Sequence, residues 1–235
     1  MLDNCKKNMF QNDSGPLYKE TMAGRFPVEP WNTYSNLLFF IVLVYWSIRV
    51  YKDVKNHKFI ALTLPILLIG NIGGNIYHAT RSSDFWLYMD SIPIFLLSFL
   101  VATHFILKQK IYKIYIPFIF ILPFVHLYLI NSVIEVPEFV ERMLEYPILV
   151  IIVLFPLFRW LYITKWKNLH LIVLSILFIS LALIARIIDL KADFLPMGTH
   201  WLWHSFGAMM TYTIILYIYK DDLLHPSKNK KTTEN

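Results

Sequence analysis

Apolar stretches of about 20 residues recur along almost the whole chain, and their repetition constrains the fold more than any single motif does. An α-helix rises about 1.5 Å per residue, so about 20 residues cross the roughly 30 Å hydrocarbon core of a bilayer. Seven such stretches lie at 32–51, 59–80, 85–107, 111–131, 143–163, 169–190 and 198–219. No water inside a bilayer satisfies backbone N–H and C=O groups, so each stretch is expected to be a helix. The sequence therefore predicts an all-α membrane protein, a bundle of seven transmembrane helices. Composition agrees: 57% of the 235 residues are hydrophobic and 16% charged, and the mean hydropathy is +0.50, outside the range of ordinary soluble domains.

Three regions follow. Residues 1–30 form a polar amino-terminal segment without the apolar core of a cleavable signal peptide, so the first span is expected to direct insertion. Residues 31–220 are expected to make the seven-helix transmembrane domain, and 221–235 a basic tail. Cys5 stands alone, which excludes an internal disulfide.

The net charge of +6 is explained by topology rather than by an anionic partner. Arg49, Lys52, Lys55, Lys58, Lys108, Lys110, Lys113, Arg159, Lys165 and Lys167 fall in the loops after spans one, three and five or at their helix ends. The opposite loops hold Arg81, Arg142, Arg186 and Lys191, together with Glu135, Glu138, Glu141 and Glu145. Positively charged loops stay cytoplasmic. The amino terminus is thus expected to be extracytoplasmic and the carboxyl terminus, with Lys228, Lys230 and Lys231, cytoplasmic. Nucleic acid is not an expected partner. The same bias suits a bacterial inner membrane, which we favour, or the endoplasmic reticulum.

Ionisable groups at membrane depth are costly and mark functional sites. In "GNIGGNIYHAT" His78 lies near the outer end of span two, and in "WLYMDSIPIF" Asp90 lies about one turn into span three. "THWLWHSFGA" opens span seven with His200 and His204, whose spacing of four puts both imidazoles on one helix face. Three histidines and an acid thus share one depth. Three imidazoles make a zinc (Zn2+) site with an open fourth position, and Asp90 is placed to hold or deprotonate a water there. The plainer alternative makes each histidine an interhelical or interfacial group, with Trp201 and Trp203 as a membrane-interface belt. A bis-histidine haem is a poor fit, because two ligands four apart on one helix cannot reach opposite faces of a porphyrin. His126 could add a fourth ligand, although a packed core role suits it better, while His104 and His170 lie toward the other face. Arg186 and Asp189, three apart, are expected to form an intrahelical ion pair. Gly70 and Gly74 have the small-residue spacing of close helix contacts. The two-proline stretch "EYPILVIIVLFPLFRW" reads as lipid-facing wall.

The strings "YKETMAGRFPVEPWNTYSNLLFF", "GGNIYHAT", "YMDSIPI" and "ARIIDLKADFLPMGTHWLWHSFGA" resemble the alkaline ceramidases and their bacterial relatives. These belong to a larger group of seven-helix membrane hydrolases that includes the adiponectin receptors. The resemblance runs from about Tyr18 to Tyr217. It implies a zinc-dependent amidase that splits ceramide-like lipid amides into a fatty acid and a sphingoid amine. His78, His200 and His204 would be the zinc ligands and Asp90 the catalytic acid and base, acting on a membrane lipid substrate. It also implies an amino-terminal calcium (Ca2+) site with Glu20 and Glu29 as ligands. Leu17, Lys19 and Met22 depart from the pattern there, and both glutamates read equally well as solvated or helix-capping groups. Gly74 stands where the family carries a serine near the reacting oxygen; Asn75 or a water is the expected substitute, and Gly74→Ser is expected to raise turnover unless packing forbids it. A lipid-binding, receptor-like protein with a structural zinc is the alternative.

Overall fold

The computed structural model describes residues 10, 12–109, 115–133 and 138–225. Of the charged groups used to orient the chain, Lys110, Lys113, Glu135 and the tail lysines lie outside the described residues, as do the side chains of Glu138, Glu141, Arg142 and Glu145.

Every regular element among the described residues is helical. The helices are α1 (Pro30–Val50), α2 (Lys58–Thr80), α3 (Asp84–Lys108), α4 (Tyr115–Val133), α5 (Glu138–Ile163), α6 (Leu169–Ile188) and α7 (His200–Leu224), with a 3-10 turn over Asp189–Lys191. Five stretches are long and apolar enough to cross a membrane: α1, α2, α3, Tyr146–Ile163 within α5, and Leu169–Lys191. Of the seven spans expected, the other two fall on α4 and α7. In α4 the qualifying apolar run is shorter, and α7 carries His200, His204, Lys220, Asp221 and Asp222.

Helix α7 packs against α6 and α1, α1 against α2, α2 against α3, and α3 against α5. Among the described residues, helix α4 packs mainly against α3 and α5. The result is a ring of six helices with α4 outside it. Close approach of α2 to α3 depends on small residues: a Cβ on Gly73 would lie 2.5 Å from the Met89 backbone, and one on Gly70 would lie 3.2 Å from Pro93 Cβ. Large apolar side chains such as Ile41, Phe124, Ile151, Phe155 and Leu177 point outward and are exposed, as a lipid solvent requires. The wall expected of α5 is only half right, since Tyr146, Leu149 and Leu157 on its other face line an interior cavity.

The ring is packed differently at its two ends. At the end away from the histidines, Leu43, Trp46, Val50, Ile60, Leu64, Phe105, Leu157, Leu161 and Tyr217 form a dry core. It is closed by a polar cluster in which Lys108 reaches Asp221 and Asp222, Trp160 Nε1 donates to Asp221 Oδ1 at 3.0 Å, and His57 Nδ1 pairs with Asp222 at 3.3 Å. This cluster ties α3, α5 and α7 to the α1–α2 turn. From the histidine end a cavity of about 250 Å³ runs along α7 to Ile218 and borders this core at Ile60, Leu64 and Leu157.

Candidate metal centre

His78, His200 and His204 converge: all three are buried, and one candidate ligand atom from each lies within 4.8 Å of the others. The ring centroids are 4.7 Å apart for His78 and His204, 4.8 Å for His200 and His204, and 5.5 Å for His78 and His200. Among the described residues this is the group of three or more His, Cys, Asp or Glu side chains arranged to hold an ion.

Each ring is aimed by what binds its other edge or its helix. His78 Nδ1 donates to Glu29 Oε2 at 2.6 Å, because a carboxylate can only accept. His78 Nε2 is left buried without a hydrogen-bond partner among the described residues. His204 Nδ1 lies 3.0 Å from the Asn32 carbonyl and 3.1 Å from Ser35 Oγ. A carbonyl also accepts only, so Nδ1 carries the proton and Nε2 faces inward. A carboxylate or carbonyl behind a ligand histidine is the usual support of a zinc site, since it fixes tautomer and ring orientation. His200 lacks such a partner, and its Nδ1 is buried and unpaired. Its ring is stacked instead on Tyr18, with centroids 3.8 Å apart.

The backbone of His200 is held as firmly. Asp189 Oδ1 accepts from the amides of Thr199 at 2.6 Å and His200 at 2.8 Å, and Oδ2 accepts from Lys19 N at 3.0 Å. One buried carboxylate thus caps α7 and pins the amino-terminal segment across it. Gly198, at φ 71°, permits this turn, for a Cβ there would lie 2.3 Å from Asp189 Oδ1. The ion pair expected between Arg186 and Asp189 is therefore replaced: both Asp189 oxygens serve backbone amides, while the Arg186 guanidinium lies over the rings of Tyr146 and Trp203 at 4.6 and 5.1 Å. Amide capping wins because the carboxylate sits beyond the end of α6, facing the open N–H groups of α7.

Asp90 lines the cavity with His204, Asn36 and Trp203. Gly74, one turn before His78, explains the crowding around it. A Cβ on Gly74 would lie 2.4 Å from Asp90 Oδ1 and 2.3 Å from Asn36 Nδ2. The space a serine side chain would need is taken by these two groups, so Gly74→Ser cannot act as the simple restoration expected from sequence. Asn75 is not the substitute either, because its amide donates to Asn71 O at 2.8 Å within its own helix. Asn36 Nδ2 is buried and has no hydrogen-bond partner among the described residues. It is an available donor beside Asp90, a position no sequence motif marked.

The remaining histidines are elsewhere. His126 is on α4 and is not among the described residues that line the cavity; His104 stacks on Phe59 with centroids 4.0 Å apart; His170 is exposed.

Glu20 and Glu29, expected as calcium ligands, have other partners. Glu20 accepts the amides of Trp31 at 2.9 Å and Asn32 at 2.7 Å, capping α1 from outside the helix. Burial pushes its carboxyl above the ordinary 4.5, against the pull of those two amides. Glu29 Oε1 accepts from Thr21 Oγ1 at 2.6 Å and Arg81 Nη1 at 2.8 Å, and Oε2 from His78 and, at 3.3 Å, Asn32 Nδ2. Burial would raise this carboxyl too, but the hydrogen bond from His78 and the Arg81 guanidinium hold it below the ordinary range. Calcium takes six to eight oxygens. A carboxylate already saturated by a guanidinium and an imidazole, beside one facing a helix terminus, does not fit that ion.

No protein-family model matches the chain, and no curated protein sequence matches it.

Proposed function

We propose that the chain is a zinc-dependent intramembrane hydrolase acting on a lipid amide of the ceramide type. The observation that carries this reading is the convergence of three buried imidazoles, one of which, His204, lines with Asp90 a cavity that is otherwise mostly apolar. His78, His200 and His204 would hold the ion. When bound, zinc would supply Lewis acidity, polarising an amide carbonyl and lowering the pKa of a water to about 7.

The chain's own groups do the rest. Asp90 accepts the proton of the attacking water at its carboxylate and returns it to the leaving nitrogen, so the amine departs neutral. Asn36 Nδ2 donates to the carbonyl oxygen as negative charge develops there, the part played elsewhere by an oxyanion-hole donor. Its freedom from other hydrogen bonds suits it to this, since no bond must break first. The cavity receives the hydrocarbon. Lining residues run from His204 to Ile218 along α7, about 21 Å at 1.5 Å per residue, and Leu67, Leu97, Val153 and Ile179 make its walls apolar. A small soluble amide would leave that surface uncovered; a long acyl chain fills it.

In this reading all seven helices span, and the charge bias of the loops supports a metal end on the extracytoplasmic side and a Lys108 cluster on the cytoplasmic side. A bacterial inner membrane remains the favoured setting. The resemblance to alkaline ceramidases supports the amide chemistry, and its zinc residues coincide with the histidines that converge.

The test is to incubate detergent-solubilised protein with a panel of lipid amides and measure released fatty acid by mass spectrometry. Wild type is expected to release fatty acid and Asp90→Asn to lose about 100-fold or more of that activity, with metal content unchanged. Equal background release from both across ceramides and simpler N-acyl lipids would defeat the hydrolase reading and favour a receptor-like protein with a structural metal.

A further inference from the structure

The misfit of calcium leads to a residue that the sequence treated only as a loop charge. Arg81 follows the last residue of α2, lies three residues after His78, and is 2% exposed. Four of its five N–H donors make hydrogen bonds. Nε donates to Asp13 Oδ2 at 2.6 Å, Nη1 to Pro16 O at 2.7 Å and Glu29 Oε1 at 2.8 Å, and Nη2 to Gly15 O at 3.1 Å, while Nη2 also forms an ion pair with Asp13 Oδ2. The rings of Tyr77 and Phe10 lie 5.1 and 5.3 Å from its central carbon, a further favourable setting for a cation. Two carboxylates and two backbone carbonyls thus surround one buried positive charge. Such a set of oxygens is what a metal cation would require, and here the guanidinium fills its centre.

The backbone at Arg81 reinforces this. Its φ of 46° and ψ of 38° place it in the left-handed region, which non-glycine residues avoid. The conformation turns the side chain back under the amino-terminal segment. Asp13 is itself set for the contact: its Oδ1 accepts from Gly15 N at 2.8 Å and Tyr77 Oη at 3.2 Å. From Asp13 the connections run through Arg81 to Glu29 and from Glu29 to Nδ1 of His78.

We propose that Arg81 is the resident cation of the amino-terminal segment, standing in place of a divalent ion, and that it acts as a positioning residue which orients His78 through Glu29. The consequence is a metal centre whose geometry is independent of calcium. Its second half rests on the zinc reading above; the first half, that a guanidinium fills the cation position, does not.

The experiment uses the full chain in detergent, prepared in calcium-free buffer, as wild type, Arg81→Ala and Arg81→Lys. Thermal unfolding is followed through a Ca2+ titration to millimolar concentration, zinc affinity is measured by competition with a chromophoric chelator, and the visible spectrum of the cobalt-substituted protein reports ligand geometry. Wild type is expected to show no Ca2+-dependent change in Tm or zinc affinity. Arg81→Ala is expected to bind zinc about 10- to 100-fold more weakly, the usual effect of losing a ligand's outer support, with altered cobalt bands. Arg81→Lys, which keeps the charge but has three donors, is expected to fall between, and it carries the test if the alanine variant does not fold. A wild-type Tm or zinc affinity that rises with Ca2+ would overturn the resident-cation assignment. Wild-type zinc affinity and cobalt bands in the Arg81 variants would overturn the positioning role. A wild type that binds neither zinc nor cobalt would instead remove the metal reading, while the Ca2+ titration would still judge the cation assignment.

Discussion

His78 concentrates the logic of the site at the level of single side chains. One ring nitrogen is fixed by Glu29 and the other has nothing but the space shared with His200 and His204. An unpaired polar atom in the interior costs on the order of 1–3 kcal/mol, so a partner in that shared space would stabilise the arrangement. Asn36 has the same character. Asn36→Ala is expected to lower turnover by about 100- to 1000-fold while leaving zinc content unchanged, which single-turnover assays and elemental analysis together check. Gly74→Ser is expected to lower turnover and Tm rather than raise them, because its Cβ would press on Asn36 and Asp90; overpacking of this kind costs about 1–3 kcal/mol. The histidines and Asp90 were legible in the sequence because ionisable groups stand out against hydrocarbon. Asn36 and Tyr18 were not, since a single amide near a helix start and a tyrosine in a polar segment carry no spacing signal. Their meaning comes from which groups the fold leaves unpaired or stacks on a ligand.

Helix termini do much of the positioning at the scale of elements. Helix α7 begins at the metal centre, with Asp189 as the external cap of its first amides. Asp189→Ala leaves three amide donors without this acceptor, and we expect a loss of about 3 kcal/mol or more in unfolding free energy together with weaker zinc retention, measured by denaturant titration and by dialysis. Helix α1 is capped by Glu20 in the same manner, and Glu20→Ala is expected to cost about 1 kcal/mol. The sign of its pH dependence is set by burial. The folded-state pKa of Glu20 is raised above its unfolded value, so the folded form binds the proton more tightly. Stability is therefore lost as pH rises from the ordinary glutamate value of 4.5 through the folded value. Glu20→Gln is expected to flatten that part of the pH–stability curve. Helix positions were readable from hydropathy to within a few residues at most ends, because length and apolarity are properties of the segment itself. Capping was one of the readings open for Glu20, but the capping role of Asp189 was not assigned, since Asp189 had an equally plausible neighbour in Arg186 and only the turn at Gly198 decides between them.

Across the whole molecule, one end of the bundle is cross-linked by charges and the other holds the three histidines, with the cavity running from His204 along α7 to Ile218. In the hydrolase reading proposed above, a long acyl chain would lie along that cavity. Ile214, ten residues beyond His204, lies about 15 Å along α7 and lines the cavity. Ile214→Trp is expected to reduce hydrolysis of long-chain amides at least about tenfold relative to short-chain ones with zinc content intact, as read from chain-length profiles. Hydropathy predicted a bundle but not its interior, because apolar residues facing lipid and apolar residues facing a cavity look alike in sequence; α5 carries both kinds on opposite faces.

The account depends most on the three imidazoles sharing an ion, and metal analysis of the purified protein tests this directly. Wild type is expected to carry about one zinc per chain, and His78→Ala, His200→Ala and His204→Ala each to lose it while still eluting as folded, monodisperse protein. A wild type without bound metal after zinc supplementation, or variants that keep the full complement, would contradict it.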